Sequence, residues 1–217
     1  LMHAVSVGGS SKAKERRLKR AQASLRRLGQ KQDNAMGQGQ GFAALQLLHD
    51  PHGWTERLFG WLRRCRAPFN LRLLALNVIS RAIAIHQLIL PELYPFLLRY
   101  LQPHQRHVAN ILALTAQASH PLVPPDYLQP VVAAISKNFV ADHCRPEVIA
   151  AGLNGLRELC QRSPAAMDSE QLAYLVQFRG NQDKNVAMAA RSLVGLFRRE
   201  HATLLPKRER GREATMA

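Results

Sequence analysis

Nine Lys or Arg side chains and one acid, Glu15, stand between Lys12 and Lys31 in the run KAKERRLKRAQASLRRLGQK. This stretch supplies +8 of a formal net charge of +15. Cations at that density do one kind of chemistry well, which is contact with the phosphates of a polyanion. No aromatic residue is interleaved, so phosphate contact is expected and base stacking is not. The candidate RNA contacts in the run are Lys12, Lys14, Arg16, Arg17, Lys19, Arg20, Arg26, Arg27 and Lys31. Lys207, Arg208, Arg210 and Arg212 join them near the other end. If about half of the nine touch RNA phosphates, affinity should fall with salt at a log–log slope of roughly −3. In a helix, Leu18, Leu25 and Leu28 form a thin stripe and leave the cations on the other faces. Two plainer readings compete: a solvated helix that keeps the protein soluble, and a nuclear-import patch at KAKERRLKR. Import and RNA binding need the same exposed cations and are compatible. A membrane-surface helix is disfavoured, because the stripe has no Trp or Phe to anchor it.

Residues for catalysis or metal binding do not converge in the sequence. The glycines of 37–41 are followed by no Lys-Ser/Thr pair, and neither G-x-S-x-G nor H-E-x-x-H occurs. His104 and His107 are three apart and could share a helix face, but no third ligand is near and Arg106 between them brings positive charge. His143 and Cys144 are sequence neighbours, whereas a Cys–His dyad usually forms across the fold. Acids such as Asp50, Glu92, Asp126, Asp142 and Glu147 sit beside prolines or at helix starts, where capping and the helix dipole explain them. No cofactor, metal or small-molecule substrate is expected. Cys65, Cys144 and Cys160 are odd in number and widely spaced, which argues for a reducing compartment. No run of about twenty apolar residues suggests a membrane span, and residues 1–11 do not read as a signal peptide. The chain opens on Leu1, and the expectation is a segment of a longer protein.

Something must position the cations. The chain divides into a basic arm with a Gly/Gln linker at 1–41, a helical domain at 42–205, and a polar basic tail at 206–217. The linker DNAMGQGQG spans Asp33–Gly41 and has nothing to bury. In the domain, apolar spacing predicts helices near Phe42–His49, Trp54–Arg66, Leu71–Gln87, Glu92–Leu101, Gln105–Ser119, Asp126–Val140, Pro146–Arg162, Ser169–Arg179 and Asn185–Glu200. Prolines punctuate them, and Asn70, Asp168 and Asp183 are placed as N-caps. The longer helices start near residues 71, 105, 147 and 185, a spacing of roughly 34 to 42 residues, as in HEAT or armadillo pairs. Stripes such as Val148, Ile149, Leu153, Leu156 and Leu159 need stacked neighbours to complete a core. The expected fold is therefore all-α: a HEAT/armadillo-like α-solenoid of helix pairs with an N-terminal basic helical arm.

Some words in the domain are not explained by periodicity. They are LLHDP at Leu47–Pro51, ISRAIAIHQLIL at Ile79–Leu90, YPFLLRYLQPHQR at Tyr94–Arg106, AQASHPLVPPD at Ala116–Asp126, NFVAD at Asn138–Asp142 and KNVAMAARSLVGLFR at Lys184–Arg198. In this order, from about Leu47 to Gly211, they resemble the severe-depolymerization-of-actin (SDA) family of assembly factors for the large ribosomal subunit. The resemblance implies a non-catalytic protein of the nucleus and nucleolus. It would bind nuclear precursors of the large subunit, meeting rRNA, ribosomal proteins and other assembly factors, and support their maturation and export. The basic run stands where the family has a Lys-rich stretch. It differs in being Arg-rich and interrupted by Ala and Gln.

One polar word, Gln102-Pro103-His104-Gln105-Arg106, reads as a tight inter-helix corner. It either turns the chain, or it also docks protein or rRNA through Gln102, His104, Gln105 and Arg106. The alternative function from another class is a HEAT/armadillo-type protein-interaction adaptor, linked to nuclear transport or the actin cytoskeleton, without RNA binding. Such an adaptor for basic cargo should show an acidic groove, and this chain has a surplus of cations instead.

Overall fold

The computed structural model describes residues 44–210 except His104 and Asp142. The described residues fall in two units. In the first, which ends at His49, residues 44–46 are helical, and Leu48 N donates to Leu45 O at 3.4 Å. The second begins at Asp50, eight residues beyond the expected domain start at Phe42, and its described part runs to Arg210.

The second unit is built of helix pairs. The first pair is α1 (Pro51–Arg64) and α2 (Phe69–His86), and the second is α3 (Leu93–Leu98) and α4 (Val108–Gln117). The third is α5 (Pro125–Phe139) and α6 (Pro146–Arg162), and the fourth is α7 (Ser169–Val176) and α8 (Lys184–Glu200). Short 3₁₀ turns follow α6, α7 and α8. The second helices begin at residues 69, 108, 146 and 184, so their starts lie 38 or 39 apart. They stack in series, α2 on α4, α4 on α6 and α6 on α8, to form one layer (the B layer). In the other layer (the A layer), α3 packs on α5 and α5 on α7. This is an α-solenoid of the HEAT type, with no strand among the described residues.

Local chemistry sets the boundaries. Asp50 caps α1 by accepting from Gly53 N at 2.9 Å, with Pro51 in the first helical position. Asp168 caps α7, and Asp183 caps α8 by accepting from both Asn185 N and Val186 N. The expected cap at Asn70 is not one: Pro68 takes the N-cap position of α2 and Asn70 lies inside the first turn. Two ends depend on left-handed backbone at non-glycine residues, Gln87 (φ 51°) after α2 and His107 (φ 59°) before α4. His107 is why α4 starts at Val108 and not near Gln105.

The core has two lobes that meet at the second pair. Phe59, Leu62, Leu76, Ile79 and Ile83 of the first pair close on Leu93, Phe96, Leu97 and Leu114. The other lobe starts from Tyr94, Leu101, Ile111 and Leu112 and runs to Leu193 and Phe197. Each inner pair thus buries one face on the pair before it and one on the pair after it, as a stacked-repeat core requires. Two glycines of α6 set its fit. A Cβ on Gly152 would lie 2.8 Å from Phe139 Cβ, and one on Gly155 would lie 3.1 Å from Leu112 Cβ. The first allows close approach to α5 and the second to α4.

Candidate functional site

The loops that join the first helix of each pair to the second lie along one rim. Three contacts tie neighbouring corners together. The rings of Phe69 and His107 stack at 6.3 Å, Asn138 Nδ2 donates to Leu101 O at 2.7 Å, and the Tyr174 hydroxyl donates to Val140 O at 3.0 Å. The opposite rim is tied in the same manner: His120 Nε2 donates to Leu88 O at 2.9 Å and the Tyr94 hydroxyl to Ala118 O at 3.1 Å. Burial raises the pKa of the Tyr94 phenol. The stretch Ser119–Pro125 is architectural. Ser119 Oγ donates to Thr115 O, Val123 is buried, and Pro124 and Pro125 open α5.

The first rim is cationic. Arg66, Arg99, Arg106, Lys137, Arg145 and Lys184 are exposed in or beside its loops. Among the described residues the exposed acids beside these cations are Glu147, in the first turn of α6, and Glu92, which pairs with Arg63 and shares a depression with Arg99, while Asp183 is engaged as a cap. The opposite rim mixes exposed Asp126, Asp168, Glu170 and Glu200 with Arg162 and Arg199. Among the described residues cations therefore outnumber acids along the first rim but not along the opposite one, a distribution that favours a polyanion at the first.

The expected docking corner lies on this cationic rim. Gln102 and Gln105 are half-buried and close a turn through Gln105 N to Gln102 O at 3.1 Å. Arg106 is exposed. The corner both turns the chain and presents one cation, anchored from below by the Asn138–Leu101 bond. The expected contacts at His104, at Arg212 and at the nine cations from Lys12 to Lys31 lie outside the described residues.

The expected tail contacts divide. Lys207 and Arg208 are exposed. Arg210 is spent on its own chain, donating from Nε to Leu205 O at 2.8 Å and from Nη2 to Thr203 O at 3.0 Å. Glu209 pairs with Arg179 and with Arg198, which folds residues 201–210 back on α8 and on the turn at 177–180.

The residues suspected of metal or thiol chemistry do not assemble. His107 is stacked on Phe69, and no group of three metal-ligating side chains occurs among the described residues. His143 is exposed, and the Cys144 thiol donates to Asn138 O at 3.5 Å. Cys160 is fully buried, and burial pushes its thiol up to about 12, far from reactivity. Among the described residues no helix is long and apolar enough to cross a membrane.

The face of the B layer turned away from the A layer, which no other described helix covers, was not anticipated from the sequence. Two adjoining depressions lie on it, about 550 Å³ between α2 and α4 and about 570 Å³ between α4 and α6. They share Ala113 and Gln117. Asn77, Asn154 and Ser192 are each the ninth residue of their helix, and Gln117 is the tenth of α4. Aligning the four B helices on their starts would have exposed this polar position in the sequence.

A layer-on-layer stack of helix pairs with this constant repeat defines a HEAT-repeat protein. The chain belongs to the SDA1 family. The family model for the SDA1 HEAT repeat matches residues 1–182. The SDA1 homologue of Dictyostelium discoideum is 42% identical over 209 residues, covering 96% of this chain and 27% of the relative. Sda1 of Schizosaccharomyces pombe is 39% identical over 219 residues, covering all of this chain and 30% of the relative. The Nematostella vectensis homologue is 48% identical over 170 residues, 78% of this chain and 25% of the relative. The chain thus spans between a quarter and a third of the length of these relatives.

Proposed function

We propose that this chain is the HEAT-repeat part of a non-catalytic assembly factor for the large (60S) ribosomal subunit. In this reading it binds nuclear and nucleolar precursors of the subunit through rRNA, ribosomal proteins and other assembly factors. It acts by occupancy, holding a precursor conformation through maturation and nuclear export, and then leaves. The observation that carries the reading is the cation surplus on a family scaffold: nine cations from Lys12 to Lys31, and a rim that adds Arg66, Arg99, Arg106, Lys137 and Arg145. Phosphate contacts of this kind supply affinity and position with little sequence preference. The scaffold's part is to decide where those cations land.

The test is sedimentation of the protein from nuclear extract. It should travel with large-subunit precursors, and replacing the nine cations by Gln or Ser should release it at moderate salt. Recovery in free fractions alone would sink the assembly-factor reading. Unchanged association of the neutralised variant would sink the RNA grip.

A further inference from the structure

We propose that the face of α2, α4, α6 and α8 that no other described helix covers binds an extended, acidic peptide segment of a partner protein. Its backbone would pair with a ladder of side chains at Asn77, Gln117, Asn154 and Ser192.

The ladder has the right chemistry. An extended or polyproline-like peptide has no internal hydrogen bonds, so every N–H and C=O it carries needs a partner. An asparagine amide offers one donor group and one acceptor, a match for one peptide unit. Among the described residues the side-chain amides of Asn77 and Asn154 have no hydrogen-bond partner. Gln117 Oε1 lies 3.1 Å from Ser80 Oγ, which leaves its NH₂ group unengaged. Ser192 Oγ accepts from Arg157 Nη1 at 3.2 Å and keeps its own proton to donate.

The spacing also fits. Packed helices lie about 8–10 Å apart, and three residues of polyproline-like chain cover about 9 Å. One contact per helix therefore falls at every third residue of the peptide. Between the rungs the floor is small or apolar, with Ala109, Leu112, Ala113 and Gly155, so a backbone can approach closely. Leu74, 61% exposed beside Asn77, and Met188, 65% exposed on α8, offer contact for apolar side chains of the ligand.

Charge selects the occupant. Arg162 lines the second depression and Arg191 is exposed on α8, while Arg157, beside the ladder at Ser192, is balanced by its own acid. Among the described residues the one acid lining the depressions, Glu158, is paired with Arg157. The surplus is positive, so the chain's own basic run has the wrong sign to occupy the face. Among the described residues no Phe, Tyr or Trp lines either depression, which disfavours a stacked single-stranded nucleic acid.

Fluorescence anisotropy of the full chain with a labelled peptide of ~ten residues, a Glu-Pro-Leu repeat long enough for four helices, tests this. Micromolar binding is expected. The double substitution Asn77→Ala/Asn154→Ala should weaken it about tenfold, since each rung removes a pair of modest hydrogen bonds. Asn77→Asp/Asn154→Asp, close in shape but negative, should weaken it at least as much. Arg162→Glu/Arg191→Glu should weaken it and flatten its salt dependence, and Ala113→Trp should block the face. A thermal melt followed by circular dichroism checks that each variant folds. Equal binding by wild type and the Asn variants overturns the proposal, as does equal binding of a Lys-Pro-Leu repeat. Displacement of the peptide by an oligouridylate that itself loses affinity in the Asn variants would make RNA the occupant and also overturn it. Neutralising the cations from Lys12 to Lys31 should leave peptide binding at high salt intact, which separates this idea from the RNA reading.

Discussion

The two layers of the solenoid obey different rules. Three of the four B helices are 17 or 18 residues long, and all four begin at a nearly constant interval. The A helices run from 6 to 15 residues. One carries Pro130 in its interior, and another gives way at Val176 to a 3₁₀ turn over Gln177–Gly180. The B layer therefore sets the repeat, because each of its long helices must lie against the next over most of its length. The A layer seals the other side of the core and tolerates shortening. The B layer also bears the polar ladder, whereas the A helices lead into the cationic loops.

If the B layer carries the stack, cutting into it should cost most. Phe197→Ala, at a fully buried site of α8, should destabilise by about 3–5 kcal/mol in chemical denaturation. An A-layer truncation at partly buried Val176 should cost distinctly less. Equal losses would show that the two layers share the load. The seam between layers comes next. Gly152→Ala drives a methyl against Phe139 and Val140 and should cost about 1–3 kcal/mol. Gly155→Ala, with a looser contact inside the B layer, should cost less. The caps follow. Asp183→Ala removes an acceptor shared by two N–H groups at the start of α8 and should cost ~1 kcal/mol. The same change at Asp168, which accepts one, should cost less. The smallest effect on stability belongs to the rim. Arg106→Gln and Arg145→Gln should each change the unfolding free energy by under about 0.5 kcal/mol, while weakening RNA retention in a filter-binding titration.

Thiol chemistry separates interior from surface in another way. Cys65 and Cys144 are half-buried, and Cys160 is fully buried with its thiol pushed up to about 12. At neutral pH an aromatic disulfide reagent should label Cys65 and Cys144 readily and Cys160 only on unfolding. Early labelling of Cys160 would mean that the α6 seam opens far below the global transition.

The long helices were legible because their signals are local. Pro146 and the apolar stripe from Val148 to Leu159 give α6 its bounds, Pro146–Arg162. Asp168 and Asp183 cap as their types predict. The short A helices were harder to read. Spacing extended α3 to Glu92–Leu101, yet it stops at Leu98, and its last residues turn toward a corner that Asn138 holds from another pair. Asn70 has a capping residue's type, but Pro68 fixes the entry to α2 two residues earlier. Arg210 counts as a basic residue in sequence, but its guanidinium satisfies the carbonyls of Leu205 and Thr203. The ladder on the B layer went unread for a different reason. Asn77, Gln117, Asn154 and Ser192 are up to 115 positions apart, and only stacking puts them on one face.

Composition and periodicity thus determined by themselves that the protein is a stack of paired helices with an excess of cations, since propensity, capping and stripe spacing act within a few residues. The tertiary structure decided which cations share a rim, which are bonded to the protein itself, and which polar side chains line up across α2, α4, α6 and α8. Those outcomes depend on contacts between residues tens of positions apart, and no local signal in the chain encodes them.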